Sequence, residues 1–178
     1  MRLLGLYKYT DKEKEEIVKS MTILTDSREQ KNNHILDWFD KMKISHKKKA
    51  LSNGDYSFYI PKNPELNIDR DLYFDKEIMV ERKASLDEIS GNFTQHRNRF
   101  EEEMATFSGK KYLIIEGANY SDIVHENYRT KFSRKAFLAS IHTFNHRYGL
   151  EIIFMPTPEL TAMYIYGIFM YYIKEILR

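Results

Sequence analysis

The sequence predicts an α/β domain with a mixed central sheet flanked by helices, and three observations carry that reading. Short apolar runs of strand length alternate with longer segments whose apolar residues recur at helical spacing. The 178 residues, 42% hydrophobic, suffice for one domain with a real core and are few for two. Neither the 30% charged content nor the few prolines and glycines suggest disorder.

The elements follow in order. Asp11 to Ser20, DKEKEEIVKS, is highly charged with few apolar positions and reads as a surface helix or arm, so residues 1–20 form a charged, helical extension ahead of a domain at 21–178. Met21 to Thr25, MTILT, is a short buried strand. Helix-start residues follow it, and Ile35, Leu36, Phe39 and Met42 then share a helix face. Two strand-like pieces flank Asn53-Gly54, a dipeptide that tolerates positive φ and predicts a tight hairpin, with Asp55 opening the second strand. Pro61 and Pro64 begin a polar connection that makes this strand and IMVERK the arms of a long hairpin with an irregular tip. Ser85 and Glu88 have the spacing of a capping box, and Leu86, Phe93, Phe100 and Phe107 fall on one stripe seven residues apart, interrupted near Gly91-Asn92. KYLIIEG is a buried strand. A helix capped by Ser133 and stopped by Gly149 precedes strand EIIFM, and Thr157 with Pro158 at the first position starts a final helix.

Composition narrows the functional classes. The chain has no cysteine, which excludes disulfides and thiolate zinc sites and fits a reducing compartment. The N-terminal MRLLGLYKYT is too short in apolar residues for a secretion signal, so a cytoplasmic protein is expected. LTAMYIYGIFMYYI falls short of the roughly 20 residues that span a bilayer, so no membrane partner is expected. A net charge of +2 does not announce a nucleic-acid binder, and any such case rests on local placement.

The chemistry concentrates where IMVERK ends. Alternation on a strand puts Met79, Glu81 and Lys83 on one side and Ile78, Val80 and Arg82 on the other. Asp55 joins Glu81 and Lys83 if its strand lies next to this one. Two carboxylates suit Mg²⁺, which takes oxygen ligands and leaves its other positions to water and phosphate. A lysine there can orient the attacking water or neutralise charge developing on phosphorus. The pattern suggests phosphodiester hydrolysis, although Asp, Glu and Lys at strand ends also arise without any chemistry.

A fuller constellation is more specific. DSRE (Asp26 to Glu29), NGDY (Asn53 to Tyr56) and VERKASLD (Val80 to Asp87), in that order, resemble the XPF-like nuclease family, a branch of the PD-(D/E)XK nucleases. FTQHRNRF resembles the family's downstream Gln- and Arg-bearing helix, and LIIEG its following strand. The resemblance implies a restriction-endonuclease-like fold and a Mg²⁺-dependent endonuclease, with Mn²⁺ able to substitute, acting on branched or structured DNA in repair, recombination or a mobile element. It implies that Asp55 and Glu81 hold the metal, that Asp26 adds an acidic group there, and that Lys83 is the catalytic lysine. Arg28 is then placed on a phosphate, Glu29 in a supporting network, and Arg82 and Asp87 complete the signature. It also implies a homodimer, for which the apolar C-terminal helix supplies the surface. Family members that cut branched DNA commonly append a tandem helix-hairpin-helix module, which does not follow the final helix here, so fork or flap selectivity is less expected.

Each assignment has a plainer alternative. Asp26 can cap a helix, Asp87 can stabilise a helix dipole, and Arg82, opposite Glu81, suits an ion pair. Gln95, Arg97 and Arg99 are candidate DNA contacts or a solvated helix flank. Lys47 and Lys48, within Lys47 to Lys49, either bind phosphate or guard a strand edge. His142 and His146 lack an evident third ligand for zinc. The rival function is a non-catalytic DNA-binding or scaffolding subunit with the same fold.

Overall fold

The computed structural model describes residues 3–178, and Met1 and Arg2 of the N-terminal extension lie outside that range. Its class is α/β, with strands of both directions flanked by helices. The chain packs as two compact units. One comprises Met1–Ser52, Tyr56–Asp75 and Ala162–Arg178, and the other Asn53–Asp55 and Lys76–Thr161. Among the described residues, no helix is long and apolar enough to cross a membrane.

The first unit begins with α1 (Asp11–Ser20), whose Thr10 cap and Glu13 form a reciprocal capping box. It is less of an arm than its charge pattern suggests. Ile17 and Val18 are buried, and Glu16 accepts a hydrogen bond from Asn63 Nδ2 at 3.3 Å. Two apolar residues thus suffice to dock a helix whose other positions are charged. β1 (Thr22–Asp26) is buried at every position. It pairs in parallel with β2 (His46–Lys49) and antiparallel with β3 (Tyr56–Ile60). The expected hairpin around Asn53-Gly54 therefore does not form: the pieces on either side of that dipeptide flank β1 instead of pairing with each other. A turn-prone dipeptide reports a local bend, whereas strand partners are chosen by long-range packing. The polar connection after Pro61 also folds, since β4 (Leu72–Tyr73) pairs antiparallel with β3.

α2 (Asn33–Lys41) buries Ile35 and Phe39, as their spacing predicts, whereas Met42 follows the last turn and is exposed. Phe58 of β3 stacks on Phe74 with ring centroids 4.5 Å apart and touches Phe169 at 5.2 Å. Phe169 lies on α7 (Thr161–Ile176), where Ala162, Ile165, Phe169 and Ile173 form a buried stripe. Met163, Tyr164 and Tyr171 on the same helix remain exposed. Thr157 makes no side-chain cap, because a 3₁₀ turn at Pro158–Leu160 comes before α7.

The second unit is built on three parallel strands. β5 (Ile78–Lys83) pairs with β6 (Lys110–Glu116), which pairs with β7 (Leu150–Met155). All six residues of β5 are buried, the pattern of a strand covered on both faces. Gly109 sets the entry to β6, because a Cβ there would lie 2.3 Å from the Glu77 carbonyl oxygen. The next residue, Lys110, donates its N–H to that same carbonyl at 2.9 Å.

The aromatic stripe splits between α3 (Leu86–Phe93) and α4 (Arg97–Thr106), yet Leu86, Phe93, Phe100 and Phe107 are all buried in one core. The break falls at Thr94 to His96, just after the Gly91-Asn92 position expected. Phe93 and Phe100 meet Phe144 of α6 (Arg134–Tyr148) with centroids 4.9 and 5.2 Å apart. Burying one such ring stabilises the fold by about 1.5–3 kcal/mol. α6 starts on the Ser133 cap and ends at Gly149 in the left-handed region, both as read from the sequence. The short α5 (Tyr120–Val124) was not foreseen.

Candidate active site

In the second unit, β5 delivers the site's two best candidates directly. Alternation puts Glu81 and Lys83 on one side of the strand, and the Lys83 ammonium donates to Glu81 Oε1 at 2.6 Å. Both side chains are nearly closed to solvent, at 9% and 11% exposure. Burial pushes the Glu81 carboxyl above its ordinary range: the Lys83 cation opposes this, while the Glu103 and Glu88 charges add to it. For Lys83, burial alone would favour the neutral amine. The charges of Glu81, Asp55 and Glu88 outweigh it and hold the group firmly cationic.

Asp55 reaches this place through its backbone. Its N–H donates to the Val80 carbonyl at 2.9 Å, and its Oδ2 accepts the Arg82 N–H at 2.8 Å. Gly54 permits this approach. Its φ is +69°, and a Cβ there would meet Met79 Cβ at 3.0 Å and the Val80 oxygen at 3.2 Å. The Gly54 N–H donates to Glu103 Oε1 of α4 at 3.2 Å.

Arg82 points away from Glu81, as alternation requires. Its guanidinium donates to Glu116 Oε2 at 2.7 Å in a pair whose side chains are 5% and 4% exposed. This is the ion-pair alternative read from the sequence. Asp87 likewise has an architectural partner, accepting the Arg129 N–H at 2.8 Å. The Ser85 cap receives the Glu88 N–H, but the Glu88 carboxylate takes the Ala84 N–H instead of that of Ser85, so the box is displaced by one residue.

Asp26 is described within the first unit, where its carboxylate is filled by its own chain. Oδ1 accepts the backbone N–H and Nε of Arg28, both at 2.8 Å, while Oδ2 accepts Leu51 N–H at 2.7 Å and Arg28 Nη2 at 3.2 Å. A carboxylate offers about four such directions. Burial works against the charge here, but the Arg28 and Leu51 hydrogen bonds win and lower the carboxyl below its usual range. Arg28 also donates to the Leu51 carbonyl at 2.9 Å and keeps its side chain two-thirds exposed. Glu29 is half-buried and donates its N–H to the Asp26 carbonyl.

The basic candidates divide. Gln95 and Arg99 are exposed on or beside α4, whereas Arg97 is tied inward to Glu101 at 3.0 Å and to Ser140 at 3.2 Å. In the first unit, Lys48 is exposed, while Lys47 lies 3.9 Å over the Tyr59 ring. His142 is held by the Tyr120 hydroxyl at 3.0 Å.

Asp55 and Glu81 are hard oxygen donors, and among the described residues no three His, Asp or Glu stand ready to hold a metal. Such a pair fits Mg²⁺ or Mn²⁺, which keep waters and accept substrate phosphate, better than an all-protein cage. The roles of Glu103 and of Glu116, the glutamate of LIIEG, escaped the sequence reading, because nothing local shows which partners they take.

The ERCC4 domain family model matches residues 25–168. Among solved structures, the chain is similar to XPF from Aeropyrum pernix in complex with DNA, at 19% identity and TM-score 0.63, over 86% of this chain and 66% of that one. It is also similar to XPF from Aeropyrum pernix at 20% identity and TM-score 0.58, over 82% of this chain and 58% of that one. The chain thus spans less than two thirds of the length of each. A search of curated proteins finds no match. The likeness establishes the fold, that of an XPF-like nuclease domain in the restriction-endonuclease-like α/β class.

Proposed function

The chain belongs to the ERCC4 domain family, and from that premise we propose that it is a divalent-metal-dependent endonuclease that hydrolyses phosphodiester bonds in DNA. One observation carries the reading: two carboxylates and a buried lysine cation converge at β5, with the ammonium 2.6 Å from Glu81 and close enough to Asp55 to feel its charge. Asp55 and Glu81 would hold Mg²⁺, or Mn²⁺ in its place. The chemistry such an ion supplies when bound is polarisation of the scissile phosphate and acidification of a water.

The chain's own residues do the rest. Lys83, its cationic form favoured by Glu81, Asp55 and Glu88, would present positive charge to the attacking water or to charge developing on the phosphoryl oxygens. Arg82 holds Asp55 through its backbone N–H and is itself anchored by Glu116. Asp26, its oxygens engaged by Arg28 and Leu51, organises its own loop. Arg99, Gln95 and Lys48 are exposed and suited to phosphate contact, with Arg28 partly so.

We also assign a homodimer to the exposed Met163, Tyr164 and Tyr171 of α7, which sedimentation of the parent and of Tyr171→Asp would test. The relative solved in complex with DNA supports DNA as the partner. A panel of single-stranded, duplex, flap, fork and four-way DNAs, incubated with and without Mg²⁺, tests the function. Nicking that requires the metal supports it. Binding without nicking in Mg²⁺ or Mn²⁺ would favour the non-catalytic subunit instead.

A further inference from the structure

We infer that Glu103 is a positioning residue of this site, holding the Gly54–Asp55 turn against β5 and adding the negative field that draws in a divalent cation. This rests on the endonuclease reading. Glu103 lies on α4, 22 residues beyond Glu81 in the sequence, and its Oε1 accepts the Gly54 N–H at 3.2 Å. That N–H belongs to a residue with φ of +69°, in which the turn is pressed onto Met79 and the Val80 carbonyl.

The Asp55 carboxylate is therefore placed by three hydrogen bonds in series. Glu103 takes the Gly54 N–H, the Val80 carbonyl takes the Asp55 N–H, and the Asp55 Oδ2 takes the Arg82 N–H. Two of these partners are backbone groups that no side-chain substitution removes. Glu103 is the one side-chain partner among these three.

Its chemistry suits a second task. A neutral acceptor can also take the Gly54 N–H, though less strongly, whereas the Glu103 charge acts on Glu81 and raises the cost of a second negative charge in the absence of a cation. That repulsion is relieved when a divalent ion arrives, so Glu103 favours the metal-bound state without coordinating it.

Two substitutions divide the roles. Glu103→Gln keeps an oxygen acceptor for Gly54 and removes the charge, while Glu103→Ala removes both. Mn²⁺ binding is measured by calorimetry on DNA-free protein, alongside cleavage as a function of metal concentration. Glu103→Gln is expected to weaken Mn²⁺ binding on the order of tenfold, with cleavage recovered at high metal. Glu103→Ala is expected to lose rate that saturating metal does not restore.

Parent-like Mn²⁺ affinity in both variants, with parent-like cleavage at limiting metal, overturns this inference and leaves the endonuclease reading intact. A parent protein that binds no divalent cation overturns both. Circular dichroism and thermal melts of the variants guard against misfolding, and if Glu103→Ala does not fold, the charge role stands or falls on Glu103→Gln alone.

Discussion

Asp26 and Glu81 are both buried acids at strand positions, and their surroundings differ in one decisive respect. Asp26 receives four hydrogen bonds from two neighbours of its own chain, and its carboxyl is held below the ordinary range. Glu81 has a lysine against it and other carboxylates around it, and burial raises its carboxyl. The first carboxylate has its hydrogen-bonding directions filled by its own chain. The second would gain from an added cation, and on that ground we propose the chemistry at β5.

The sharpest way to break this contrast is to remove the working groups. Glu81→Gln and Lys83→Ala should each lower DNA cleavage at saturating Mg²⁺ by roughly 10³-fold per folded molecule, with DNA affinity little changed, although each also breaks a buried ion pair and lowers the melting temperature. Undiminished rates in both would end the assignment.

Next come the structural pairs. Glu116→Ala leaves the Arg82 guanidinium buried without this partner and should cost about 3–5 kcal/mol in denaturant unfolding. Asp26→Asn exchanges a charged acceptor for an amide that matches only part of its network, and should cost about 2 kcal/mol. The sign of its pH dependence follows from the lowered carboxyl. Asp26 contributes stability above its unfolded-state pKa, and that contribution falls as acidification protonates the folded carboxyl. Once the pH falls below the unfolded-state carboxyl pKa of about 3.9, Asp26→Asn should therefore differ less and less from the parent, which parallel melts at descending acid pH would show.

The smallest contrast lies within one helix. Arg99→Ala should weaken DNA binding and reduce its salt slope by about one, since it removes an exposed cation proposed to contact phosphate. Arg97→Ala should leave that slope unchanged, because its guanidinium is committed to Glu101 and Ser140. Equal slopes for the two variants would erase the distinction.

Much of this was legible in the sequence because it depends on local periodicity. Alternation alone set Glu81 and Lys83 together and Arg82 apart, and the seven-residue spacing of Leu86, Phe93, Phe100 and Phe107 survived a break between helices. Ser133 and Gly149 bounded their helix for local backbone reasons. What failed depended on distant partners. Asn53-Gly54 looked like the centre of a hairpin, but both flanking strands chose β1, and Met42, in step with Ile35 and Phe39, came one residue too late to be buried. Glu103 carries no motif, and Glu116 lies in the LIIEG strand without any local sign of its role, because their meaning comes from Gly54 and Arg82 across long stretches of chain.

The most direct test of the account is calorimetric titration of Mn²⁺ into DNA-free protein, comparing the parent with Glu81→Gln, Asp55→Asn and Asp26→Asn. Saturable binding by the parent that persists in folded Asp26→Asn and is lost in both Glu81→Gln and Asp55→Asn is the predicted result. Binding that survives the loss of Glu81 and Asp55 but disappears with Asp26 would contradict it.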